Sequence, residues 1–192
     1  MKRIRLETER LILREYEWSD LHKHHTLISD AQIMYYIQDV YSRSLAESKE
    51  NLRQAILAMR KTPRTHVFLV IETKQGAYVG GIGYTVTEYS PAGKRVEIGY
   101  SMYPSFWGLG YASEAFSALA HYAFEEDNVY RISGTCITDN ARSAHVMERL
   151  GMKPEGVRRL HDWHVDGLKS RSYYGLLKQE WKETNHERAT GD

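Results

Sequence analysis

Cysteine is nearly missing from this sequence: Cys136 is the one thiol in 192 residues. An intrachain disulfide is therefore impossible, and so is a zinc site built from four cysteines. That usage fits a reducing compartment. Long apolar runs are missing too. No stretch approaches the ~18 residues that span a bilayer, and residues 1–9 are polar and charged, without the apolar segment of a secretory signal. The cytoplasm is the expected location, with no membrane partner. Proline is scarce, and no Gly/Ser-rich linker, repeat or low-complexity segment divides the chain. A chain of this length buries one core well and is short for two. Residues 1–183 are expected to form a single domain, and 184–192 a polar tail. An excess of either charge is also lacking. Lysine plus arginine number 26 against 25 acidic residues, a net +1, which gives no bulk attraction to nucleic acid.

What is present is an alternation of strand and helix signals. Arg10 to Tyr16 alternates like a strand, and Trp18 to Asp30 reads as a short helix. Ser44 with Glu47 is a capping-box pattern, and Leu52, Ala55, Ile56 and Met59 continue at helical spacing to about Arg60. Val67 to Glu72 and Tyr78 to Glu88 read as strands joined by Lys74-Gln75-Gly76. Gly80, Gly81 and Gly83 in the second suggest a bulge or a close approach by another backbone. Val96 to Tyr103 is a further strand. Ala112, Ala115, Phe116, Leu119 and Ala123 mark a third helix. Arg131 to Thr138 is a strand, and Asn140 to Leu150 is a short helix closed by Gly151. Val157 to Val165 and Ser170 to Leu177 form a hairpin through Asp166-Gly167. The order describes an α/β (α+β) fold, a mixed and mostly antiparallel sheet of about seven strands flanked by about four helices. The strands at Val96 and Arg131 must pair in parallel, because a helix crosses between them.

The segment from Phe106 to Ala115 (FWGLGYASEA) lies between a strand and a helix. Gly108 and Gly110 leave room for a bulky anion, successive amides can point inward, and the helix entering near Tyr111 adds the positive end of its dipole. Such a loop suits a pyrophosphate, although a plain helix-entry loop has the same glycines. An ATP module is disfavoured, since no Gly-Lys-Ser/Thr follows.

The stretch resembles the acyl-CoA-binding motif of the GNAT superfamily of N-acetyltransferases, Q/R-x-x-G-x-G/A, with Trp107 in the first place, Gly110 in the fourth and Ala112 in the sixth. The tryptophan departs from the general pattern and is similar to the branch of ribosomal-protein N-terminal alanine and serine acetyltransferases. Three further segments resemble that branch: Thr8 to Arg14, Val96 to Tyr100, and Asn140 to Ser143 followed by Glu148 to Met152. The resemblance covers about Glu7 to Lys182. It implies a GNAT-like domain that moves an acetyl group from acetyl-CoA, as co-substrate, to a primary amine.

The resemblance also implies roles. The backbone of Ser101, Met102 and Tyr103 would pair with the pantetheine arm. The backbone of Trp107, Gly108, Leu109, Gly110, Tyr111, Ala112 and Ser113 would hold the pyrophosphate, and Asn140 and Ser143 would contact the cofactor. Asn140 is equally a good helix N-cap, and the two roles are compatible. Glu97 is one candidate base for the amine proton, and Asp162 is a second. A strand carboxylate bonded to a neighbour, or a solvent-facing acid, would look the same. Many relatives carry a tyrosine as leaving-group acid where Met147 stands here. Ser143, Tyr173 or Tyr174 are left as substitutes, with departure of the thiolate into water as the alternative. Cys136, in mid-strand, reads as a buried structural thiol rather than a nucleophile. The histidines at 22, 24 and 25, and at 161 and 164, are expected to bind no metal.

The resemblance favours a peptide or ribosomal-protein N-terminus as acceptor. Small amines (polyamine, amino acid, aminoglycoside) and a non-catalytic acyl-CoA-binding module remain as alternatives. Tyr35, Tyr36, Tyr41 and Trp163 suit a cationic amine and ordinary packing alike. Monomer and homodimer both remain open.

Overall fold

The computed structural model describes residues 3–183. Along the chain come β1 (Arg5–Glu7), β2 (Leu11–Glu15), α1 (Leu21–Ile28), α2 (Leu45–Ala58), β3 (His66–Thr73), β4 (Tyr78–Ser90), β5 (Gly93–Met102), α3 (Tyr111–Glu125), β6 (Val129–Ile137), α4 (Ala141–Arg149), β7 (Lys153–His164) and β8 (Gly167–Leu177). Short 3₁₀ turns precede α1 and lie at Met34–Tyr36 and Pro104–Phe106. Residues 178–183 are helical. The expected tail at 184–192 lies outside the described residues. The strands hydrogen-bond in the order β1-β2-β3-β4-β5-β6-β8-β7. The β5–β6 pair is parallel, as the crossover through α3 requires. Eight strands stand where about seven were expected, because the three-residue β1 pairs with β2.

The chain divides into two compact units, with β4, β5 and α3 running from one into the other. The first holds residues 3–85 and Gly99–Leu119. Its core shows why the apolar run of β3 is continuous: Leu69, Val70 and Ile71 are all fully buried, so both faces of the strand are covered. Leu11 and Leu13 of β2 are equally buried, and α1 adds Leu27 and Ile28. The capping box at α2 forms in altered shape. The Ser44 hydroxyl accepts from the Glu47 amide at 3.2 Å, while the Glu47 carboxylate takes the amide of Arg43 at 2.7 Å. The expected close approach at the β4 glycines is present: a Cβ on Gly80 would lie 2.1 Å from the Ser101 carbonyl oxygen.

The second unit holds Val86–Ile98 and residues 120–183. One face of its strands is apolar. Val96, Ile98, Ile132, Cys136, Tyr174 and Leu176 are buried there, together with Met147 and Met152. A Cβ on Gly134 would lie 2.8 Å from the Met147 sulfur, so α4 rests directly on β6. The opposite face, by the period-two alternation of the same strands, carries Arg95, Glu97, Arg131, Thr135, Arg171 and Tyr173, half-buried or exposed. Among the described residues no helix is long and apolar enough to cross a membrane.

Candidate functional site

The glycine loop belongs to the first unit. Pro104–Phe106 make a 3₁₀ turn, Trp107 is extended, and the chain then passes through Gly108 at φ +75° and Gly110 at φ +79° before α3 begins at Tyr111. Both angles are left-handed, which answers why the sequence places glycine twice. The amides of Tyr111, Ala112 and Ser113 belong to the first turn of α3 and have no acceptor within the helix. A cradle with no Cβ at two positions, orphan amides and a helix dipole fits a phosphate group.

Arg10 shapes this loop, and the sequence reading missed it. In the sequence the residue opens the strand-like alternation from Arg10 to Tyr16, which carries no sign of this role. Its guanidinium donates to the Leu109 carbonyl at 3.0 Å and to the Glu114 carboxylate at 2.7 Å, and it lies 4.6 Å from the centre of the Tyr111 ring. Glu114 also accepts from the Thr8 hydroxyl at 2.5 Å and the Arg10 amide at 2.9 Å. Burial pushes the Glu114 carboxyl up, but the bonds from Thr8 and Arg10 outweigh it and hold the group below its ordinary value. The conformation of the loop thus depends on a strand end far away in sequence.

The strand expected to meet the pantetheine arm is partly committed. The Met102 carbonyl accepts from the Trp107 indole at 2.9 Å, and the Tyr103 amide donates to Val79 at 3.0 Å. The Tyr103 hydroxyl donates to the Lys23 carbonyl at 2.7 Å. Tyr103 packs, with Tyr16 and Tyr41, against a cluster that includes Met34 and Tyr78.

The second unit holds the other predicted residues. Asn140 caps α4, its side-chain oxygen accepting from the Ser143 amide at 3.2 Å. Ser143 stands in the first turn of that helix. Met147 is a core residue against Gly134. Tyr174 is buried on the same side, where desolvation pushes its phenol up. Tyr173 lies on the opposite face, under the guanidinium of Arg158 at 4.7 Å.

Glu97 and Asp162, the two candidate bases, belong to one hydrogen-bonded chain. Arg171 Nε donates to Asp162 at 2.6 Å, Arg171 Nη1 donates to the Thr135 hydroxyl at 3.0 Å, and that hydroxyl donates to Glu97 at 3.3 Å. The other acids of this region hold cations as well: Glu88 pairs with Arg95, and Glu155 with Arg131. Among the described residues Glu97 alone of these four carboxylates has no cationic partner.

The remaining candidates separate. Cys136 is 5% exposed, and burial pushes its thiol up. His24 is buried and bonds Asn51 at 2.9 Å, while His25 bonds Ser48 at 2.8 Å. His161 is exposed, whereas His164 is buried and bonds Asp166 at 2.6 Å. Trp163, on the hairpin, is 83% exposed.

Comparison with known proteins gives the family. Residues 10–153 match the acetyltransferase (GNAT) domain, and the chain belongs to that family of N-acetyltransferases. It is similar to the uncharacterized N-acetyltransferase YnaD of Bacillus subtilis (strain 168), 31% identical over 183 residues that cover 92% of this chain and 98% of YnaD. In fold it is similar to RimL, a ribosomal L7/L12 alpha-N-protein acetyltransferase solved with coenzyme A. The TM-score is 0.81 at 20% identity, over 91% of this chain and 98% of RimL. It is similar in fold, too, to the spermidine N-acetyltransferase of Vibrio cholerae, solved with coenzyme A and spermine. There the TM-score is 0.80 at 20% identity, over 91% of this chain and 99% of that one.

Proposed function

We propose that this chain transfers the acetyl group of acetyl-CoA directly to the α-amine of a protein or peptide N-terminus, of the ribosomal-protein type, in the cytoplasm. The observation that carries the reading is the ion-pair pattern around Glu97. One carboxylate without a cation suits one ammonium or amine. A polyamine would be recognised by several free carboxylates, and here Glu88, Glu155 and Asp162 are each already neutralised by an arginine. Proteins similar in fold include acetyltransferases of both kinds, RimL for a protein N-terminus and a spermidine N-acetyltransferase, so the ion pairs and not the fold carry the choice.

In this reading the loop from Trp107 to Ser113 holds the pyrophosphate, the backbone of Ser101, Met102 and Tyr103 meets the pantetheine arm, and Asn140 and Ser143 add polar contacts. Glu97 takes the proton of the acceptor ammonium, leaving a lone pair on nitrogen. The new C–N bond forms at the thioester carbonyl as the C–S bond breaks; the nitrogen then loses its second proton and the leaving sulfur gains one, the net exchange a relay hydroxyl can carry. Met147 cannot donate one and is buried in the core. Ser143 is the proposed donor. Asp162 serves the arrangement through Arg171.

The test is release of coenzyme A thiol against peptides beginning with alanine or serine, spermidine, free amino acids and an aminoglycoside. Peptides should be the fastest acceptors. In Glu97→Gln, kcat should fall by about 10²–10⁴, the usual contribution of a positioned base, with acetyl-CoA affinity unchanged. Faster turnover of spermidine than of any peptide would overturn the acceptor. Tight cofactor binding with no release on any amine would overturn the activity.

A further inference from the structure

We infer that Thr135 is a positioning residue for Glu97, and that the Arg171–Asp162 ion pair fixes the direction of its proton. The inference rests on the reading of Glu97 as base. Its physical core is a donor count. A guanidinium has only donors and no acceptor. The Thr135 hydroxyl, 3.0 Å from Arg171 Nη1, must therefore accept that bond. A hydroxyl has one proton, and with Arg171 facing its lone pair that proton is left for Glu97 Oε1 at 3.3 Å. The order of donation, arginine to threonine to glutamate, is set by chemistry without a choice of rotamer.

Four strands supply the parts. Glu97 is on β5, Thr135 on β6, Arg171 on β8 and Asp162 on β7. Thr135 lies opposite Tyr173, and Arg171 opposite Ile137, so the two side chains share one face of the sheet. Glu97 joins that face through its partner Ser133, two residues from Thr135. Arg171 cannot swing away from Thr135 cheaply. Its Nε is held by Asp162 at 2.6 Å, and both side chains are about three-quarters buried, at 27% and 25% exposure. A lone glutamate on an open strand would sample several rotamers. Here one oxygen is tethered, and the other is left toward solvent or an acceptor. The tether costs Glu97 no charge, since threonine is neutral. An arginine in direct contact would have neutralised the carboxylate and removed it from use as a base.

The test compares Thr135→Val, which keeps the shape and removes the hydroxyl, with Thr135→Ser, which restores the hydroxyl, and with Glu97→Gln. Acetyl-CoA affinity and melting temperature are measured on each, and Thr135→Ala replaces the valine variant if that one does not fold. The expected result is a kcat about tenfold lower in Thr135→Val, as for a misplaced catalytic group, with the KM for acetyl-CoA unchanged and kcat recovered in Thr135→Ser. Wild-type kcat in Thr135→Val beside a slow Glu97→Gln would overturn the inference while leaving the base intact. Equal loss in the valine and serine variants would overturn it as well, because the hydroxyl would then be irrelevant. Wild-type kcat in Glu97→Gln would remove the base and the inference together.

Discussion

Arg10 and Glu114, 104 residues apart in sequence, are joined by a charged hydrogen bond of 2.7 Å, and the same guanidinium holds the Leu109 carbonyl at the crest of the glycine loop. The loop's own residues do not account for its shape. Gly108 and Gly110 permit the turn, and Arg10 selects it by pulling the Leu109 carbonyl toward β2. A carbonyl drawn to one side leaves the neighbouring amides free on the other, as a phosphate site needs. Arg10→Ala should therefore weaken coenzyme A binding. A hydrogen bond to a charged group is worth about 1.5–3 kcal/mol, so a loss of roughly tenfold or more is expected. Glu114→Gln should produce a smaller loss, since an amide can still accept from Thr8. Calorimetric titration with coenzyme A decides it, and equal affinities in all three proteins would mean that the clamp is irrelevant to the ligand.

Gly108 and Gly110 share one backbone requirement. Both are left-handed, at a cost of about 1–2 kcal/mol for a residue with a side chain. A Cβ on Gly110 would make an ordinary contact with the Arg10 guanidinium at 3.4 Å, which places residue 110 beside the clamp. Gly110→Asp would in addition place a carboxylate beside both Arg10 and the proposed pyrophosphate. Coenzyme A binding should fall below detection. Gly76, at φ +87° in the β3–β4 turn with open space around it, supplies the control. Gly76→Ala carries the same backbone strain and should bind coenzyme A normally. If both variants lose binding alike, strain and not the loop is the cause.

These two cases show what a sequence can and cannot disclose about such a site. The glycines at 108 and 110 are local requirements of the backbone, so they are visible in the residue types. The parallel β5–β6 pair is equally legible, because α3 lies between the strands. Arg10 was readable only as part of a strand, since its partners are fixed by how β2 meets the start of α3. The chain from Glu97 through Thr135 and Arg171 to Asp162 depends on the register of four strands, and a register is a long-range property. β1 is not legible because Arg5–Glu7 spans three residues, two of them charged, too few to show a period. Nothing local marks His24 for burial, yet Tyr16 packs edge-on against it at 5.2 Å and its Nε2 bonds Asn51.

Cys136 tests direct transfer against an acetyl-cysteine route. Its side chain lies on the core face of β6, with burial pushing the thiol up, which favours the unreactive protonated form. Cys136→Ala should keep wild-type turnover and lose about 1 kcal/mol of stability, a typical value for one core truncation. The native thiol should react with a disulfide reagent only as fast as the protein opens. Loss of turnover in a folded Cys136→Ala protein would reinstate the covalent route.

The last expectation concerns acid. Arg14 makes paired bonds to Asp20, both at 2.8 Å, and to Glu72 at 2.9 and 2.5 Å. Asp20 is 2% exposed. Burial pushes its carboxyl up, yet the bonds from Arg14 and the Glu17 amide and the field of Arg14 prevail, and the group sits below its ordinary value. A carboxyl lowered in the folded state binds protons more readily once the chain unfolds. Its contribution to stability is therefore complete above the unfolded value near 4 and is lost as pH falls through the lower folded value. Asp20→Asn leaves Arg14 without one of its two charged partners and should cost about 3–5 kcal/mol at neutral pH, the usual penalty for breaking a buried pair. Urea unfolding of both proteins from pH 7 to pH 3 measures it. The gap between them should hold steady down to about pH 4 and narrow below it. A gap that stays constant to pH 3 would mean that the carboxyl of Asp20 contributes shape and not charge.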